Sequence, residues 1–153
     1  YEEALDAAPS SHLAYEQATL AFQLGRTDSA EYSLRRAVSL APPSEAGQGY
    51  LELGQLLQAA QRPAEAAAAF RLALRRSRLP DRAAAHAQLA EALSSAGKGE
   101  AAVDELERAI QLAPNVHHLL ATFANTLSQV GRNEEAVLAL QQVLRDDPAA
   151  HAA

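Results

Sequence analysis

Apolar residues recur along the chain at helical spacing, in segments of about 14 residues rich in Ala, Leu, Glu, Gln and Arg. Short Gly-bearing or polar breaks separate them. Four breaks align, Leu24-Gly25-Arg26, Ala60-Gln61-Arg62, Ala96-Gly97-Lys98 and Val130-Gly131-Arg132, at offsets of 36, 36 and 34 residues. The flanks fall into register with them. A small residue stands before each break (Ala18, Gly54, Ala90, Ala124) and an alanine after it (Ala30, Ala66, Ala102, Ala136). A large apolar column follows (Leu34, Phe70, Leu106, Leu140), then Ala37-Val38, Ala73-Leu74, Ala109-Ile110 and Val143-Leu144. Pro42, Pro114 and Pro148 close three units at one offset, and Pro80 closes the second two residues late. Each unit therefore predicts two antiparallel helices joined by a tight turn, crossing closely at the small residues and stacking on the next unit through the larger ones. Pro63 opens the second helix of its pair, where a missing N–H is harmless. Ala85 and Ala101, off the crossing columns, are expected on exposed faces.

These columns resemble the tetratricopeptide repeat family. The second unit matches best: Tyr50, Leu53, Gly54 and Leu57, then Ala66, Phe70 and Ala73, follow the family order W-x2-L-G-x2-Y…A-x3-F…P, with Tyr for Trp and Leu for Tyr. The resemblance covers nearly all of 11–148 and identifies no single member. It implies an all-α, right-handed superhelical solenoid of antiparallel helix pairs. The division expected is the end of a preceding unit at 1–10, repeats at 11–46, 47–82, 83–116 and 117–148, and a tail at 149–153. In the opening segment, Tyr1, Ala4 and Leu5 match the spacing of Phe70, Ala73 and Leu74, and no polar capping helix follows Pro148. Both ends are thus expected to be open, as in a fragment of a larger protein, and open ends of this kind self-associate.

Composition narrows the chemistry. The chain has no Cys, which removes disulfides, thiolate metal sites and cysteine nucleophiles. Thirteen Lys and Arg against 19 Asp and Glu give a net charge of −6, which argues against nucleic acid as a partner. No apolar run is long enough to insert in a membrane, and no targeting signal marks this segment, so both cytoplasmic and periplasmic locations stay open. The histidines, His12, His86, His117, His118 and His151, form no His-x3-His helical pair. His86 shares a column with Tyr50 and Leu120 and is expected to be packed. No G-x-S-x-G, Walker or G-x-G-x-x-G pattern occurs. Gly47 and Gly49 read as a loosened connection between units. No catalytic, cofactor or metal residue is assigned, and the chain is expected not to be an enzyme.

Charge placement carries the functional expectation. The four first helices, taken as 11–24, 47–60, 83–96 and 117–130, contain no Lys or Arg and hold Glu16, Glu52 and Glu91. In the family the first helices line a concave groove, so the resemblance implies a neutral to acidic peptide groove. Its residues are Tyr15, Thr19, Phe22, Leu51, Gln55, Gln58, Ala87, Glu91, Ser94, Asn125 and Ser128, within a stripe that also takes in His12, Gln48, Ala84, His118 and Ala121. Carboxylate-ended chaperone tails, which the family grips with cations on these helices, are disfavoured. Arg26, Lys98 and their partners Arg62 and Arg132 form a basic ladder at the turns. Its simplest role is to complement the helix macrodipole, and its sharper one is an edge track for an anionic partner.

The expected function is a non-catalytic protein–protein interaction scaffold. Its partner is a protein or peptide that is neutral to weakly basic and has apolar anchors. Two alternatives differ in class. One is the substrate-presenting arm of an enzyme resembling the O-linked N-acetylglucosamine transferases, which use asparagine ladders where this stripe has Asn125 alone. The other is a periplasmic scaffold similar to those of bacterial exopolysaccharide export.

Overall fold

The computed structural model describes residues 2–76 and 79–146, and side chains within 11–75 and 79–145. All of its regular structure is helical: α1 (Glu2–Gln23), α2 (Thr27–Leu40), α3 (Ala46–Ala59), α4 (Pro63–Arg76), α5 (Arg82–Ser95), α6 (Gly99–Leu112), α7 (His117–Gln129) and α8 (Asn133–Asp146). They fall into two compact units, Tyr1–Pro80 and Asp81–Ala153. Each unit holds two antiparallel helix pairs. One second helix in each, α2 or α6, also packs on the first helix that follows it.

The turns inside the pairs share one hydrogen-bond plan. The N–H of the residue before the second helix donates back across the turn, Arg26 to Ala21 O, Arg62 to Leu57 O, Lys98 to Leu93 O and Arg132 to Leu127 O, at 2.8–2.9 Å. This is the reverse bond of a Schellman cap, and it needs a left-handed residue just before the donor. Gly25, Gly97 and Gly131 supply it with φ of 69°, 77° and 85°. In the second turn Gln61 takes φ 61° with a side chain attached.

In the first unit the crossing of α3 and α4 is built on Gly54. A Cβ there would lie 2.6 Å from the Phe70 ring, so the ring occupies the space the glycine leaves. Ala66, Phe70 and Ala73 are buried beneath Leu53 and Leu57. Ala18 and Ala30 do the same for α1 and α2, with Leu34 and Ala37 beside them. In the second unit Leu89, Ala90 and Leu93 of α5 are buried with Ala102 and Leu106 of α6. Val103, Ala124, Leu127, Ala136 and Ala139 then form a cluster closed by Phe123 and Val130. The Val130 side chain fills the room that Gly99 leaves at the start of α6. Asp81 opens α5 by accepting a hydrogen bond from the Ala84 N–H at 2.9 Å.

Four local expectations give way. One continuous helix runs from Glu2 to Gln23 through Pro9, where an end at 1–10 and a fresh start at 11 were expected. A proline removes a single donor from a helix, and here the helix continues past it. Gly47 and Gly49 are buried inside α3 and are no connection, because Gly49 receives Tyr15 and Val38. Ala85 is buried at 2% and Ala101 is half-buried, so neither stands on the exposed face expected of it. Helix α5 begins at Arg82, so one cation does stand on a first helix, at its first residue.

Replacing Ala66 or Ala102 with Leu is expected to cost about 1–3 kcal/mol, because added methylenes must force apart a close crossing. Ala68→Leu, on the exposed face of α4, should stay within about 0.5 kcal/mol of the parent. Urea unfolding midpoints check this, and equal midpoints would show that the columns are not close crossings. Gln61→Gly should raise stability by roughly 0.5–1 kcal/mol by relieving the left-handed backbone. A lowered melting temperature would mean that the Gln61 side chain holds the turn.

Candidate functional site

Seven of the eleven groove residues expected from the sequence line two clefts, one in each unit. In the second unit a cleft of about 640 Å³ runs between α5 and α7, with Leu106 and Leu119 in its wall. Helix α5 contributes Ala84, Ala87, Gln88, Glu91 and Ser94, and α7 contributes His118, Thr122, Asn125 and Gln129. Ala84, Ala87 and Ala90 leave it without bulky side chains along α5. No Lys or Arg lines it. Ser94 donates to Gln129 Oε1 at 3.2 Å and ties the two helices together at their C-terminal ends. The Thr122 hydroxyl is turned back to its own helix, donating to His118 O at 2.9 Å. Gln88 and Asn125 have no hydrogen-bonded partner among the described residues, so their amides are available to a ligand backbone.

In the first unit a smaller cleft of about 210 Å³ lies between α1 and α3. Ala18, Phe22, Ala30, Leu34 and Leu56 make it apolar, while Thr19, Glu52 and Gln55 line the rest. Phe22 is exposed at its mouth. Glu52 accepts from Gln48 Nε2 at 3.4 Å. This cleft offers room for one apolar side chain beside a carboxylate.

The remaining expected residues lie outside both clefts. Tyr15 is half-buried, with its hydroxyl lodged against Gly49 and lacking any hydrogen-bond partner. Burial pushes the phenol above its ordinary value, and Glu52 and Glu45 add to the effect. Its geometry is that of a packing residue between α1 and α3. Leu51 and Gln58 are half-buried and apart from the clefts. Ser128 donates to Asn133 Oδ1 at 3.2 Å, from the end of α7 to the start of α8. Gln88, Thr122 and Gln129 join the second cleft although the stripe omitted them. Each stands four residues after a cleft residue (Ala84, His118, Asn125), the neighbour that spacing by three and seven skips.

His86 is buried with Nδ1 2.7 Å from Glu105 Oε2, and Glu105 also accepts from Arg108 at 2.8 Å. Among the described residues no three His, Asp or Glu side chains are grouped to bind a metal, and no helix is long and apolar enough to cross a membrane. His151 lies outside the described residues.

The basic ladder is half neutralised. Arg62 pairs with Glu65 at 2.6 Å and reaches back to Glu31 of α2, which Arg35 also holds at 2.9 Å. Arg132 pairs with Glu135 at 2.6 Å and reaches back to Glu100 of α6 at 3.3 Å. Arg26 and Lys98 have no such partner among the described residues. Arg-x-x-Glu, present at 62–65 and 132–135 and missing after Arg26 and Lys98, is the sequence signal that separates the two kinds. The paired cations link the second helices of successive pairs.

Comparison with known proteins gives the lineage of these features. Family profiles described as tetratricopeptide repeat match residues 1–45 and 51–117 in one case and 93–153 in another. No curated protein sequence matches. Among solved structures, MamA aligns over 100% of this chain and 88% of its own at 20% identity, with a TM-score of 0.77. MamA from Desulfovibrio magneticus RS-1 aligns over 91% and 76% at 14% identity and a TM-score of 0.76. YrrB, described as a TPR protein with an unusual peptide-binding site, aligns over 86% and 66% at 23% identity and a TM-score of 0.69. At these identities the likeness is one of fold.

Burial works to raise the Glu31 carboxyl, but the Arg62 and Arg35 guanidiniums beside it prevail and hold it below its usual value of 4.5. A depressed folded value means stability that is present above pH 4.5 and is lost as pH falls through the folded value. The parent chain should therefore exceed Glu31→Gln in urea midpoint at pH 7, and the gap should close below about pH 4.5. A gap that stays constant down to pH 3 would remove the ion pair as its source.

Proposed function

The chain belongs to the tetratricopeptide repeat family, and from that premise we propose that it binds an extended segment of a partner protein along the first helices of its pairs. The fold is that of an interaction scaffold. The observation that carries the finer reading is the cleft between α5 and α7: it has alanines along one side, unpaired amides at Gln88 and Asn125, and no lining Lys or Arg. An alanine-lined wall lets a peptide backbone approach closely, and amides can both donate to and accept from it. Glu91 in this cleft and Glu52 in the other set the sign, so the preferred segment is neutral to weakly basic. The apolar cleft beside Phe22 supports an apolar anchor side chain, whose burial contributes about 1.5–3 kcal/mol before ordering costs.

The reading predicts an ordered response to peptide arrays and to paired substitutions. Neutral or basic peptides with spaced Leu, Phe or Tyr should bind above the matching acidic set in fluorescence anisotropy. Asn125→Ala with Gln88→Ala should weaken binding about tenfold, as loss of one or two net hydrogen bonds implies. Arg71→Glu with Arg75→Glu, on the exposed face of α4, should leave it unchanged. Binding that ignores the amide pair and disappears with the arginine pair would move the site to the outer helices.

A further inference from the structure

The first and last helices each display an apolar stripe that the inner helices bury. In α7, Leu119 is 3% exposed, while Leu13, which holds the same column in α1, is 54% exposed. Leu20 of α1, 58% exposed, stands in the column where α3 buries Leu56 at 5%. Leu13, Gln17 and Leu20 follow one another at helical spacing, so they share one face of α1, and Leu24 stands just past its end. At the other end the contrast repeats. Val103 and Leu106 of α6 are 0% and 1% exposed, whereas their counterparts Val137 and Leu140 of α8 are 52% and 44% exposed. Leu144 extends that face by one turn.

Charges complete the correspondence. Arg132 reaches Glu100 at 3.3 Å, from the turn of one pair to the start of the preceding second helix. Shifted along the columns, the cation of that clamp becomes Arg26, in the turn after α1, and its carboxylate becomes Glu134, at the start of α8. Both are exposed, and neither has a partner among the described residues. The α1 face with Arg26 and the α8 face with Glu134 are thus the two halves of a junction the chain already makes between α6 and α7.

We propose that the occupant of the α8 face is α1 of a second copy of this chain, with Arg26 of one copy paired to Glu134 of the other. The contact is head-to-tail, so each copy keeps one free face and association continues beyond a dimer, into open strings or a closed ring. It buries apolar area on both sides and fixes register through the ion pair. The inference stands apart from the peptide clefts, which lie on other helix faces.

Sedimentation velocity on the purified 153-residue chain tests it. The weight-average mass should rise with concentration past twice the 16.2 kDa monomer. Leu13→Glu with Leu20→Glu closes the head, and Val137→Glu with Leu140→Glu closes the tail. Each double variant alone should stay monomeric with an unchanged helical circular dichroism spectrum, and a mixture of the two should stop at a one-to-one dimer. Arg26→Glu or Glu134→Arg alone should weaken association about two- to fivefold, and the two reversals in one chain should restore it. A parent chain that remains monomeric, a head variant that dimerises with itself, a mixture that forms no dimer, or a double reversal without recovery would each overturn the proposal.

Discussion

The close crossing of two helices at small residues is the constraint from which the rest of this structure follows. Where Ala18 meets Ala30, and where Gly54 meets Phe70, backbones approach because one side chain is nearly absent. That approach brings the apolar columns into contact within a pair of only 14-residue helices such as α3 and α4, too short to be stable alone. It also sets the length of the turn. Three residues suffice to reverse the chain, and the reverse bond from Arg26, Arg62, Lys98 or Arg132 then has one geometry to adopt. Core, turn and pair orientation are consequences of the same small side chains.

Periodicity made most of this legible in advance. Small and large columns repeat at fixed offsets from each turn, so helix pairs, crossing residues and the start of α4 at Pro63 could be read from spacing alone. Pro9 was harder, because proline marks a helix end only as a tendency, and α1 continues through it. Gly47 and Gly49 misled for a related reason. Glycine marks a loop when it supplies backbone freedom, but in α3 it supplies space, and the side chains that need the space, Tyr15 and Val38, lie far back in the sequence. Local rules see the first use of glycine and not the second.

The candidate clefts show the same division. The first-helix stripe placed Ala87, Glu91, Ser94 and Asn125 together, and Thr19, Phe22 and Gln55 together, since these follow from helical geometry. It could not tell that Tyr15 is spent on packing or that Ser128 reaches Asn133, because those outcomes depend on a neighbouring helix. Charge behaved likewise. Four turn cations share one column, but a glutamate three residues on accompanies the links that Arg62 and Arg132 make between second helices. Arg26 and Lys98, without it, remain available for other contacts.

The Tyr15 hydroxyl against Gly49 has an evolutionary reading. Any residue with a Cβ at 49 meets both Tyr15 and Val38 at overlapping distances, and the phenol has no hydrogen bond to compensate it for staying. A side chain at 49 is therefore tolerated only when 15 and 38 both yield volume. Positions 15, 38 and 49 are thus expected to vary as a linked set. In descendants of this chain, small residues at both 15 and 38 would mark the lineages in which alanine has entered at 49.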